Sequence, residues 1–259
     1  MNGEKLWVYN LKNFYKTAID AQYVLHRLMQ FLLLIRRKIY KVRILIPGMK
    51  ERHVLEEMVG PVGYWKKLRL YQLNVLKING LKPHHKLIDI GCGPLQGGIA
   101  LIDYLEKNKY VGIDICPVKL SYGYRQIEKY NLNNKNPELF SSNTFGDYEI
   151  GNRKFDFCWA SQVLYYFDSD KLSELFKFVS SCMKPKGKFL GDIIGEKHYA
   201  YRYPKPGGYI LHTLDSLKRI AEEYGLKARS LGHIVNYGYP KRLTLHTNIL
   251  IEIKNSSDF

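Results

Sequence analysis

The chain has 259 residues, 46% of them hydrophobic, which suffices for a folded globule and points to one substantial core with an extension rather than two full domains. Its net charge is +16, and residues 1–52 alone hold 11 Lys/Arg against 3 Asp/Glu, so half of the excess sits in that segment and implies a local anionic partner rather than a uniformly basic surface. The four cysteines (Cys92, Cys116, Cys158, Cys182) contain no C-x-x-C pair, which argues against a metal centre or a disulfide framework and fits reduced thiols in a cytoplasmic protein.

Residues 1–48 read as a basic amphipathic helical extension. Between Ala21 and Ile46, Leu25, Leu28, Leu32 and Ile35 fall on one helical stripe, and Arg36, Arg37, Lys38, Lys41 and Arg43 follow at once. The apolar run Phe31–Ile35 is too short to span a bilayer, and no small-residue cleavage site marks a signal peptide. Two readings stay open for residues 21–46. The helix lies on an anionic membrane surface, or it packs its stripe on the core and keeps its charges in water. Pro47-Gly48 breaks the segment.

Residues 49–85 form a helical lead-in. Tyr64, Leu68, Tyr71, Val75 and Ile78 recur at helical spacing, Gly80 stops the helix, and the element is expected to close over the site that follows. From 86 to 254 the pattern alternates: strand 86–90, helix 97–106, strand 110–113, helix 119–130, strand 139–142, strand 155–160. Asp168 or Ser169 caps a helix with Leu172, Leu175, Phe176 and Val179 inward. Strand 188–194 comes next. Thr213 or Asp215 caps a last helix with Leu217, Ile220, Ala221 and Tyr224 inward, ended by Gly225. Ala228–Ile253 reads as two strands joined by Tyr239-Pro240-Lys241, and 255–259 is a polar tail.

The richest segment is Lys86 to Asp114. An apolar strand carrying Asp89 runs into a glycine turn and a helix, and a second strand ends in Asp114. That order builds a nucleotide-binding crevice at the carboxyl ends of parallel strands. Gly91 and Gly93 let backbone approach a ligand, and Gly97 and Gly98 let the helix start close to the sheet. A dinucleotide fingerprint would read G-x-G-x-x-G, but the third glycine here falls one place late. Asp89 would repel a pyrophosphate and attract an ammonium group. Asp114, 21 residues beyond Gly93, stands where a ribose hydroxyl pair needs an acceptor.

The chain resembles the class I S-adenosylmethionine (SAM)-dependent methyltransferases. The resemblance is carried by Asp89-Ile90-Gly91-Cys92-Gly93, Val111-Gly112-Ile113-Asp114, Phe155-Asp156-Phe157-Cys158-Trp159-Ala160 and Met183-Lys184-Pro185-Lys186-Gly187-Lys188, and covers roughly residues 60–254. Lys186 departs from the family's L-K-P-G-G. The resemblance implies an α/β fold: a doubly wound, mostly parallel seven-strand sheet with a terminal antiparallel hairpin, here plus a helical amino-terminal extension. It also implies SAM as cofactor. Gly91 and the surroundings of Asp89 would hold the methionine ammonium, and Asp114 would accept from both ribose hydroxyls. Ile115 would lie on the adenine. Asn143, Thr144 and Phe145 would read its edge, with Asn143 in place of the usual acid. Ala160, Ser161 and Gln162 would border the methionine. Cys92 sits in the turn as a small residue without a catalytic role.

Methyl transfer from a sulfonium is an in-line displacement, so the protein mainly positions the reactants and excludes water. No catalytic residue is therefore assigned. The acceptor pocket is expected after the fourth and fifth strands, lined by Tyr165 and Tyr166, and beneath the aromatic insert 195–213 with Tyr203 and with His198 as a candidate base. The expected acceptor is a small molecule, a lipid or a glycan. An RNA methyltransferase is the alternative, yet no basic stripe interleaved with exposed aromatics marks the core. A non-catalytic SAM- or nucleotide-binding module stands as the reading from another class, and a dehydrogenase ranks below it because of the glycine spacing.

Overall fold

The computed structural model describes residues 49–60, 62–145, 150, 152–194, 210–243 and 248–258. The amphipathic segment 21–46 lies outside the described residues, as do His198, Tyr203 and the rest of 195–209. Contacts divide the chain into two units, Met1–Val54 and Leu55–Phe259. In the first, only the opening of helix α1 (Met49–Val59) is described.

The second unit is built on seven strands: β1 Leu87–Ile90, β2 Tyr110–Asp114, β3 Glu138–Ser141, β4 Phe155–Ala160, β5 Met183–Ile194, β6 Leu226–His233 and β7 Asn248–Asn255. Their spatial order is β3-β2-β1-β4-β5-β7-β6. The first five pair in parallel, and β7 runs antiparallel between β5 and β6. Helix α2 (Trp65–Ile78) leads into β1, and helices α3 (Gly98–Tyr104), α4 (Pro117–Lys129), α5 (Ser169–Cys182) and α6 (Leu214–Glu222) lie between successive strands. This is the doubly wound sheet with a terminal antiparallel pair that the sequence implied.

Central parallel strands are covered on both faces, so β1 and β2 are buried along their whole length. Alternation sorts their side chains between two cores. Leu87, Tyr110, Phe157 and Trp159 pack with α2 residues Leu68, Tyr71, Val75 and Leu76. Ile88, Ile90, Val111 and Ile113 pack with α5 residues Leu172, Leu175, Phe176 and Val179 and with Leu217 and Ala221 of α6. Helices α5 and α6 have side-chain caps. Asp168 accepts from the Lys171 N–H, and Thr213 accepts from the Ser216 N–H.

Three details differ from the sequence expectation. Ile78 is 66% exposed at the end of α2, and Trp65 at its start is buried instead. Strand β5 begins at Met183, five residues early, because Met183 already pairs with Phe155. Within it Lys186 takes φ 61°, the left-handed region, and its N–H donates to Asp258 at 2.9 Å. The link between β6 and β7 is longer than a tight turn. It carries Ile234 and Tyr239 back onto the α2 side of the sheet, where both are buried.

Candidate functional site

The strand order reverses between β1 and β4, and such a reversal opens a crevice beyond the carboxyl ends of the strands. The turn after β1 lines it. Gly91 takes φ 73° and Gly93 φ 55°. A Cβ on Gly91 would lie 2.5 Å from Val163 Cγ2, so this position excludes any side chain. The N–H groups of Gly91 and Cys92 both donate to the Ile113 carbonyl, at 2.8 and 3.0 Å, which ties the turn to the end of β2.

Asp114 is locked by its own neighbours. Gly93 N–H donates to Oδ2 and Cys116 N–H to Oδ1, each at 2.9 Å. Asp89 is 3% exposed and accepts from the Tyr110 hydroxyl at 2.7 Å. Burial pushes its carboxyl up to about 7; the Tyr110 bond opposes this and the charge of Asp114 adds to it. Burial between these two carboxylates also holds the Cys92 thiol well above its ordinary range, which denies it thiolate character.

Asp89, Gly91, Cys92, Gly93, Asp114, Ile115, Asn143, Thr144, Phe145, Ser161, Tyr165 and Tyr166 all line one cavity of about 690 Å³. Ile115 is 72% exposed, a large apolar side chain held out at the crevice. The Asn143 backbone carbonyl accepts from Lys171 Nζ at 2.6 Å, and the same ammonium lies over the Phe145 ring at 5.1 Å. Ala160 stands apart from the rest of the expected set. It is fully buried in the sheet and outside the cavity lining, because β4 turns its side chain into the core shared with α5.

The lead-in helix closes over the site as its sequence position suggested, whereas Glu57–Gly60 and Tyr239 were not expected in the lining. Glu57–Gly60 and the α2 residues Leu68, Tyr71 and Gln72 cover one side, and Tyr239 arrives from the β6–β7 connection. Behind Gln162 lies Asp192, fully buried on β5. Burial pushes its carboxyl up to about 7, against hydrogen bonds from Gln162 and Asn248. Asp192 had a signal in the sequence: it is an acid inside the apolar run Phe189–Ile194. His212 serves the fold, with Nε2 2.8 Å from the Phe167 carbonyl. Among the described residues no group of His, Cys, Asp or Glu is arranged to hold a metal, and no helix is long and apolar enough to cross a membrane.

A family profile described as a methyltransferase domain matches residues 64–231. The chain belongs to this methyltransferase family. Curated proteins give no significant match. Among solved structures, the methyltransferase resembles an S-adenosylmethionine-dependent methyltransferase from Clostridium acetobutylicum ATCC 824 at 18% identity and TM-score 0.58, over 80% of this chain and 98% of that one. Magnesium protoporphyrin IX methyltransferase from Synechocystis PCC 6803, solved with bound SAH, aligns at 14% identity and TM-score 0.59, over 85% of this chain and all of that one. The cyclase SpnF aligns at 14% identity and TM-score 0.55, over 71% and 81%. At such identities these likenesses establish the fold, and the inclusion of a cyclase shows that the fold alone does not fix the reaction.

Proposed function

We propose that this methyltransferase moves the methyl group of SAM to a small-molecule acceptor bound in the tyrosine-lined half of the same cavity. The observation that carries the reading is the pair of strand-end carboxylates, Asp89 and Asp114, facing one cavity with exposed Ile115 between them and the Asn143–Phe145 turn. That donor set fits the group. Asp89 suits an ammonium, doubly accepting Asp114 suits a ribose diol, and Ile115 suits the flat face of a base. When bound, the sulfonium supplies an activated methyl group and an excellent leaving group. The chain's own residues bind, orient and exclude water.

A cavity of about 690 Å³ also falls in the range of about 300–1,000 Å³ typical of small-molecule sites, and its far half is walled by Tyr71, Tyr165, Tyr166 and Tyr239. Within the small-molecule reading, a lipid or glycan head group stays an acceptor class for the labelling test below. Calorimetry with S-adenosylhomocysteine (SAH) and labelled-SAM incubation with fractionated lysate test the function. SAH binding and label in the small-molecule fraction support it, and label mainly in RNA overturns the acceptor class. For residues 21–46 we retain the reading of a peripheral contact with an anionic membrane from the cytoplasmic side, supported by the sequence pattern alone. Salt-weakened but persistent binding to anionic liposomes, lost on removal of 1–46, is the expected result, and a full-length protein that ignores liposomes contradicts it.

A further inference from the structure

The far half of the cavity holds a hydrogen-bond circuit with a fixed direction. The Gln162 backbone N–H donates to Asp192 Oδ1 at 2.8 Å, and the Gln162 side-chain amide donates to Asp192 Oδ2. The Asn248 side chain adds a further bond to the same carboxylate. A carboxylate that receives these donors fixes the amide of Gln162, with NH2 toward Asp192 and Oε1 away from it. Oε1 then accepts from the Tyr165 hydroxyl at 3.2 Å and the Tyr239 hydroxyl at 3.1 Å. With their protons committed to Gln162, these two phenols act toward any further group only as acceptors. Gln162 itself is held at φ 58°, a left-handed backbone of the kind that clusters at functional sites.

Among the described residues, two more hydroxyls in this wall have no partner. Ser161 Oγ and the Tyr71 hydroxyl are shut away from solvent, and both residues line the cavity. Tyr71 is 2% exposed, and its ring meets Tyr239 edge-on with centroids 5.0 Å apart. A hydroxyl buried without a partner regains a hydrogen bond when a polar ligand group reaches it.

We propose that Tyr71, Ser161 and the Gln162–Tyr165–Tyr239 circuit form the acceptor subsite for a neutral hydroxyl or amine, and that Asp192 is the positioning residue that sets its polarity. The proposal rests on the methyl-transfer reading above. An O–H or N–H group brings a proton for the accepting phenols and keeps a lone pair for the methyl carbon. A carboxylate brings no proton, and above about pH 7 it also meets the charge of Asp192 behind the wall. In the transfer, the acceptor lone pair forms the bond to the methyl carbon, the methyl–sulfur pair leaves with sulfur, and the acceptor's proton passes to water. Above about pH 7, where Asp192 is ionised, it favours the positive charge that builds on the acceptor before that proton leaves.

The test uses the full-length protein, labelled SAM and a small-molecule extract, either untreated or treated with acetic anhydride to cap hydroxyls and amines. Label should enter the untreated extract and fail to enter the capped one. Tyr71→Phe should lower transfer to the untreated extract by about tenfold or more while SAH affinity stays unchanged. Asp192→Asn should raise the amount of extract needed for half-maximal transfer while the KM for SAM and the thermal midpoint hold. Loss of structure would not give that split. Transfer that survives capping, or wild-type transfer by Tyr71→Phe, overturns the subsite. If SAH binds and neither extract takes label, the methyl-transfer reading fails and the subsite falls with it.

Discussion

Cofactor affinity should depend on pH through Asp89. Its carboxyl is pushed up to about 7 by burial, with Asp114 adding to the rise and the Tyr110 hydroxyl opposing it. Its other titratable neighbour, Cys92, is held well above its ordinary range and stays neutral below pH 8. Below about pH 7 the cofactor-free protein therefore holds a proton on Asp89. An ammonium group placed beside Asp89 favours the carboxylate, so binding releases that proton and affinity falls as pH falls. Each pH unit below the carboxyl's value costs about 1.4 kcal/mol, close to tenfold in affinity. Between pH 7.5 and 5.5 the dissociation constant of SAH should rise by roughly 25-fold, the value that a single proton linked at about 7 gives. Calorimetry at both pH values, in two buffers of different ionisation enthalpy, reads the affinity and the released proton together. Asp89→Asn should flatten the profile. A pH-independent affinity with no proton released at pH 6 would refute the placement of the ammonium beside Asp89.

Asp114→Ala should weaken SAH binding by roughly 1–3 kcal/mol, about 5- to 150-fold, since it removes the diol acceptor and frees the Gly93 and Cys116 N–H groups; unchanged affinity in a folded variant rejects the ribose role. Gly91→Ala puts a Cβ at φ 73° and 2.5 Å from Val163 Cγ2, so it should cost about 2–4 kcal/mol of stability and abolish SAH binding, read by denaturant melts and calorimetry. Lys186→Gly relieves a left-handed backbone while keeping the N–H bond to Asp258, and should raise stability by about 0.5–1 kcal/mol in a thermal melt.

The near half of the site was legible because its chemistry is local in sequence. Asp89, the glycine turn and Asp114 lie on two adjacent strands joined by one short helix, so spacing alone brings them together. The far half was legible only in part: Ser161, Gln162, Tyr165 and Tyr166 follow β4 directly, whereas Tyr71, Asp192 and Tyr239 come from distant segments. Tyr71 read as core from its helical spacing, and it is core: it belongs to the buried cluster on the α2 side of the sheet while the same residue walls the cavity. Tyr239 read as part of a tight turn, and only the longer β6–β7 connection carries it to Gln162. Ala160 shows how finely the face is set. Its neighbour Ser161 reaches the cavity, but alternation along β4 turns Ala160 inward, and a one-residue step decides the face.

The central claim is that the two strand-end carboxylates hold SAM rather than a dinucleotide. Titration calorimetry of the full-length protein with SAH and, separately, with NAD tests it most directly. The account predicts saturable binding of SAH, weakened in Asp114→Ala, and no binding of NAD. Binding of NAD without binding of SAH would contradict it.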